Sequence, residues 1–420
     1  MRRALEPLRL PGFRSLAFAY SVNELGNWLG EIALAILVFE QTGSAWATAA
    51  LFLGMQFLPG LAAPALVARV EASGTRRALP ALYAAEAATF VVLAALAGNF
   101  SLPVIVALAA MDGSLAVAGR ALTRACAAAV LKPAGQLRPG NALLNVAFTL
   151  AGAAGPAAGG VVVAAFGART ALLADAASFA LVAATLSVAR ALPQVGGEAE
   201  AWRARLRDGL RYAVRTPPLG LLLVAQAVAL AFFAAVLPVE IVFARDTLEA
   251  GDAGYGALLG AWGAGMLVGS LLFAASRRAR LATLLLVSTL AVGAAYVAMG
   301  VAGSIQVACA AAVVGGAGNG VQWVSLVSLL QELTDSRFQA RVVGLLESAA
   351  ALTPGVGFIA GAAAAELLST RATFLGAGAA VLAVALGSAA LLARSPRAAL
   401  VALAEAGTSF RARGSAGPAG

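Results

Sequence analysis

The sequence predicts an all-α integral membrane protein: twelve transmembrane helices forming two pseudo-symmetric six-helix bundles, with both termini cytoplasmic. Three observations lead there. Hydrophobic residues make up 61% of the 420 positions and charged residues 12%, where soluble proteins average roughly 45–50% and 25%. Twelve apolar runs follow one another, near 15–39, 45–67, 78–98, 102–130, 142–166, 170–192, 219–244, 254–275, 281–302, 304–331, 342–367 and 372–393. Each approaches or exceeds the ~20 residues a helix needs to cross the hydrocarbon core, and none has the alternation of an outer-membrane barrel strand. Finally, if the helices alternate in direction, all of the 29 Lys and Arg except Arg169, Arg245 and Arg371 fall on the side of the termini. An asymmetry of that size marks the cytoplasmic face, so the chain is expected in the inner (cytoplasmic) cell membrane.

The same figures exclude other classes. The net charge of +9 is accounted for by basic loops against the anionic lipid of the inner leaflet, not by nucleic acid. Met1 to Phe13 has no short apolar core with a small-residue cleavage site, so the N-terminus is expected to be mature. Cys126 and Cys309 each lie inside an apolar run and histidine is absent, which leaves no disulfide framework, thiolate metal site or imidazole base. No phosphate-binding loop of the ATPase type occurs, so this chain alone is not an ATP-driven pump. Neither a cofactor, a metal nor an enzymatic activity is expected.

Taken in order, helix one carries Tyr20, Glu24, Asn27 and Glu31 within an arc of about 60° at 100° per residue, a single polar stripe expected to line a pathway. Glu24 sits near mid-depth and Glu31 roughly two turns farther out. The loop after helix two holds Arg69, Glu71, Arg76 and Arg77 and reads as a cytoplasmic gate loop. Glu86 in helix three and Asp112 in helix four are also embedded. A carboxylate in lipid costs several kcal/mol unless it faces a cavity, pairs or stays protonated. Proton exchange is therefore assigned first to Glu24, with Glu31 and Asp112 next; bonding to a neighbouring helix is the alternative for each. Arg120 and Arg124, one turn apart toward the cytoplasmic end of helix four, read as partners for Asp112 or cargo, or as side chains reaching the inner headgroups.

In helix five, Gly152, Gly155, Pro156, Gly159 and Gly160 fall mid-way along the run. Proline removes an N–H from the helix ladder, and small residues four apart let another backbone come close. The stretch reads as a pivot where the helix bends, with an ordinary static crossing as the alternative. Asp175, Glu240 and Glu347 lie off centre or near helix ends, where bonding between helices accounts for them equally well. Asn319 and Gln322 in helix ten read as uncharged partners for cargo or as packing residues. The glycine run Gly315 to Gly320 has no preceding strand and lies inside an apolar segment, so it is not a nucleotide loop.

The longest polar interruption, Pro193 to Pro217, divides the runs six and six. This gives an N-terminal bundle over 1–193, a linker at 194–217, a C-terminal bundle over 218–397 and a cytoplasmic tail at 398–420 expected to be disordered. Within the linker, Ala201 to Tyr212 mixes basic and apolar residues as a helix on the membrane surface does. The halves echo each other: Arg169 follows helix five as Arg371 follows helix eleven, Pro156 answers Pro354, and Arg76-Arg77 answers Arg277-Arg278. Such a repeat around a central cavity is a mark of transporters.

At this point the residues resemble a family. The plan is similar to the major facilitator superfamily, and Gly152 to Gly160 matches the glycine–proline motif of its fifth helix, the one associated with antiporters and drug exporters. Other stretches look like the branch holding siderophore exporters and macrolide efflux proteins: Phe13-Arg14-Ser15-Leu16, Gly26-Asn27, Thr42-Gly43-Ser44-Ala45, Asp175 with Ser178-Phe179, Asp208 to Tyr212, and Gly254-Tyr255-Gly256. Two positions depart. The aspartate usual in the loop after helix two is missing, with Glu71 close by to take its charge-pairing role, and Asn27 stands where the branch commonly has a proton-carrying aspartate. The resemblance implies a secondary active efflux transporter, a proton/substrate antiporter of a lipophilic or amphipathic small molecule (drug, macrolide-like compound or siderophore), working by alternating access as a monomer. Tyr20, Asn27, Glu86, Arg120, Asn319 and Gln322 are its candidate cavity residues. A non-transporting receptor or assembly partner of the same fold and a proton-coupled importer are the alternatives.

Overall fold

A computed structural model describes residues 2–60, 75–189, 193, 210–276, 279–334 and 339–393. After a short 3-10 turn at Arg2–Arg9 come α1 (Pro11–Thr42), α2 (Ala45–Phe52, prolonged by a π turn at Leu53–Phe57), α3 (Thr75–Leu96), α4 (Leu102–Leu131), α5 (Leu137–Phe166) and α6 (Ala168–Val188). The second half repeats the series with α7 (Pro217–Val242, prolonged by a π turn at Phe243–Thr247), α8 (Gly251–Ala275), α9 (Leu281–Val301), α10 (Ile305–Glu332), α11 (Gln339–Leu367) and α12 (Thr370–Ala393). Eleven of these helices are long and apolar enough to cross a membrane, and the twelfth, α2, is described only to residue 60. The twelve-helix architecture is the one expected. Arg69 and Glu71 of the gate loop, the linker through 209, the end of the C-terminal bundle from 394, the tail at 398–420 and the side chain of Glu347 lie outside the described residues.

Helix ends follow local chemistry. Proline opens α1 and α7, where its missing N–H is an orphan in any case. Gly43 closes α1 at φ 58, its N–H bonded to the Phe39 carbonyl, in the left-handed conformation that glycine adopts without a Cβ penalty. Ser44 Oγ then accepts from the Ala47 N–H and starts α2.

Small residues decide where the helices meet, because in lipid close backbone packing takes the place of a hydrophobic driving force. α5 rests on α1 with Gly155 against Trp28 and Gly159 against Ile32, and Gly160 meets the backbone of Gly256 in α8. α11 repeats this plan: Gly357 and Gly361 meet the Ala231 and Ala235 carbonyls of α7, and Gly355 meets Phe57 of α2. Each therefore packs on the first helix of its own half and the second helix of the other, the two-fold relation that the sequence repeat anticipates. Both run unbroken through Pro156 and Pro354. In α10, Gly316 and Gly320 meet the Trp262 and Met266 carbonyls of α8, and Gly318 the Ser288 carbonyl of α9, so the glycine run is a packing surface.

Candidate functional site

A cavity of about 340 Å³ lies where the two halves face each other. Its walls are aromatic: Trp28 from α1, Phe52 from α2, Phe148 from α5, Phe233 from α7, Tyr255 and Trp262 from α8, and Tyr296 from α9. The Trp262 and Tyr296 rings stack with centroids 5.3 Å apart, and Phe233 closes edge-on at 5.7 Å. Two carboxyls face into this apolar space, Glu31 from α1 and Glu240 from α7. Gln56, carried on the α2 π turn, donates to Glu31 Oε1 at 3.4 Å. Glu240 Oε2 and Trp262 Nε1 are buried without a hydrogen bond among the described residues, which leaves an acceptor and a donor open to whatever fills the cavity.

Behind this wall, inside the N-terminal half, sits a second group of acids. Glu24, Glu86, Asp112 and Asp175 are all buried, and each has at least one oxygen without a hydrogen bond among the described residues. One cation serves most of them: the charge of Arg120 acts on Glu24, Glu86 and Asp112, and also on Glu31 at the cavity. No carboxylate approaches Arg120 to ion-pair distance among the described residues. Arg124, whose charge also reaches Glu24, donates to the Tyr20 hydroxyl at 3.0 Å with its guanidinium 5.6 Å from that ring. Asp175 accepts from Ser178 Oγ at 3.0 Å and presses on the glycines of α1, since a Cβ at Gly26 or Gly30 would fall on its carboxyl oxygens.

The halves are drawn together on the side away from the basic face. There Gly160 touches Gly256, Phe52 of α2 lies 5.6 Å from Phe358 of α11, and Arg245 bridges the two halves. Its Nη1 is 3.4 Å from Glu40 Oε1 at the end of α1 and 3.1 Å from Asp252 Oδ1 in the first turn of α8, while the guanidinium lies 5.8 Å from the Phe39 ring.

Of the residues singled out in the sequence, Glu31, Gly152, Glu240, Tyr255 and Asn319 border the cavity. Tyr20, Glu24, Glu86, Asp112 and Arg120 gather behind it, and Asn27 is half-buried with its Nδ2 unbonded among the described residues. Gln322 borders a different cavity inside the C-terminal half, and Arg76 and Arg77 are exposed at the start of α3. Sequence reasoning missed the aromatic wall, because hydropathy does not separate a ring in a cavity from a ring in a core. It also passed over Gln56 and Gln226, although an amide interrupting an apolar run is a signal of its own.

Two six-helix halves around a central cavity, closed by helix pairs on one side, define a carrier of the major facilitator type. The chain belongs to the transmembrane secretion effector family of that superfamily, whose model matches residues 2–406. No curated protein matches it in sequence. Solved structures of similar fold include a mutant of the nucleoside transporter NupG, with a TM-score of 0.74 and 12% identity over 90% of this chain and 99% of that one. A mutant of a peptide transporter, POT, gives 0.72 and 14% over 92% and 95%. A bacterial homolog of the human lysosomal transporter Spinster, in an inward-facing and unoccupied conformation, gives 0.63 and 13% over 90% and 94%. At such identities the likeness is one of fold. The chain is a multi-pass membrane transporter of small molecules and not an enzyme.

Proposed function

We propose that the chain is a secondary exporter that exchanges protons for a lipophilic or amphipathic molecule, cationic or neutral, by alternating access in the cytoplasmic membrane. The observation that carries this reading is the central cavity, which combines an aromatic wall with Glu31 and Glu240 and has no Lys or Arg among the described residues that line it. Aromatic faces and desolvated carboxylates both attract cations. An anionic siderophore would find no Lys or Arg among the described residues lining this cavity; Arg120 and Arg124 lie beside the acids behind it. Arg120 is the electrostatic link of the mechanism: it acts on Glu31 in the cavity and on Glu24 and Asp112 behind it. Cargo arriving at Glu31 changes the charge that Arg120 feels, and a proton leaves or joins Glu24 in response. Rocking then takes place about the α5–α8 and α2–α11 contacts, with Pro156 as the pivot. In the opposite state Arg69, Glu71, Arg76 and Arg77 close the basic side against the anionic leaflet. The chain acts as a monomer.

The test is accumulation of a labelled panel of lipophilic cations, neutral macrolide-like compounds and siderophores, in cells with and without the protein. Lower accumulation of the cations, abolished by a protonophore, is the expected result. Higher accumulation makes the protein an importer. Unchanged accumulation across the panel, with the protein present in the membrane, favours a non-transporting partner role.

A further inference from the structure

A second cavity, of about 250 Å³, lies wholly within the C-terminal half, among α7, α9, α10 and α12. For scale, an apolar cavity of about 150 Å³ takes up benzene. Its walls are aliphatic, and its polar side chains are all uncharged: Gln226, Thr283, Thr289, Gln322 and Ser388. Two of these carry amide atoms that make no hydrogen bond among the described residues. Gln226 is 7% exposed and makes no hydrogen bond among the described residues. Gln322 is 6% exposed and donates through Nε2 to Thr289 Oγ1 at 3.0 Å, while Thr289 itself donates to the Leu285 carbonyl at 2.7 Å. Those two bonds fix the Gln322 amide and leave its Oε1 as an open acceptor. Both residues line the cavity, so the free amide atoms of the two carboxamides are open to a partner within it.

The cavity also communicates. A constriction of about 30 Å³, bordered by Gln226, Phe233, Asn319, Gln322 and Trp323, lies between it and the central cavity. Phe233 and Asn319 border the constriction and the central cavity, while Gln226 and Gln322 border the constriction and the second cavity. At the other end Thr283 is exposed near the start of α9, which gives an entrance from the basic side.

We propose that this cavity is a second binding site, for an uncharged molecule with an alkyl or aryl body and a hydrogen-bonding head, coupled to the central cavity through Asn319 and Gln322. The absence of charge in the lining excludes ions, the aliphatic walls take the body, and Gln226 and Gln322 take the head. The site depends neither on the direction of transport nor on proton use.

The probe is N-phenyl-1-naphthylamine, neutral and fluorescent in apolar surroundings, titrated onto the full chain in nanodiscs and corrected with empty discs. Saturable binding with energy transfer from Trp323, reduced in Trp323→Phe, is the expected result. Ala385→Trp fills the cavity and weakens binding at least tenfold. Because that variant can fail to fold, the second test acts on folded protein: Ser388→Cys, with Cys126 and Cys309 replaced by Ala, is alkylated with a bulky maleimide after purification. Alkylation abolishes the binding, and prior probe slows alkylation. If the alkylated protein or well-folded Ala385→Trp binds the probe as the parent does, or if the parent shows no saturable binding, the cavity holds water only and the proposal fails.

Discussion

Asp175 and the two glycines it presses on show how little room a single residue has here. Gly30→Ala would drive a Cβ into the Asp175 carboxyl and to 2.5 Å from the Phe90 ring, and both of those side chains are fully buried. Overpacking of this kind costs about 1–3 kcal/mol, so the variant should lose thermal stability and membrane abundance, and adding Asp175→Ala should restore part of both. Equal melting of single variant and parent would show that α6 yields. For the acids the expectations divide. Glu24→Gln keeps size and hydrogen bonding but fixes the neutral state, so in vesicles with an imposed pH gradient cargo binding should survive while driven efflux is lost; steep accumulation by that variant moves the test to Asp112. Glu31→Gln should instead weaken cationic cargo about tenfold or more, the loss of one charged hydrogen bond of about 1.5–3 kcal/mol. The stripe Tyr20, Glu24, Asn27, Glu31 was legible in the sequence; its division between two environments was not. A helical phase angle says which residues share a face, but α4 covers that face at the depth of Glu24 and leaves it open at Glu31.

Among the helices, α5 has two partners where the sequence offered one small-residue surface. Gly155 and Gly159 belong to α1, while Pro156 and Gly160 belong to α8, since neighbouring positions on a helix point in different directions. Gly256→Ala would place a Cβ 2.6 Å from the Pro156 carbonyl and 2.7 Å from the Gly160 Cα. Backbone cannot yield there, so α5 and α8 should part at that end and turnover should fall with abundance kept; unchanged transport would show that the contact is not a working joint. Pro156→Ala supplies the N–H that the Gly152 carbonyl lacks and should likewise lower turnover more than abundance. The π turns at Leu53–Phe57 and Phe243–Thr247 left no trace in hydropathy, because one extra residue in a turn does not change how apolar the segment is. Yet they carry Gln56 and Arg245, two polar groups that reach across to other helices, in keeping with the frequency of such bulges at functional sites.

At the scale of the whole molecule, the charge bias that predicted the topology can be tested directly. A reporter fused at Gly303 should be outside the cell and one at Gly197 inside, and a cytoplasmic signal at Gly303 would overturn the arrangement. The same bias made Arg245 look like a stray outer charge, whereas it holds the two halves together through Glu40, with Asp252 as its second partner. Exposed ion pairs contribute about 0.2–1 kcal/mol, so Glu40→Gln should raise the population open on that side by a few-fold at most, read as the distance between spin labels at Gln41 and Ala250. The side chains of Arg245, Glu40 and Asp252 are 25%, 39% and 16% exposed, so dissolved ions reach them. Attraction between charges in contact with water weakens as the screening length falls from about 8 Å at physiological ionic strength to about 3 Å in molar salt. Raising the salt around that face should therefore loosen the clasp, by no more than the few-fold that loss of Glu40 gives.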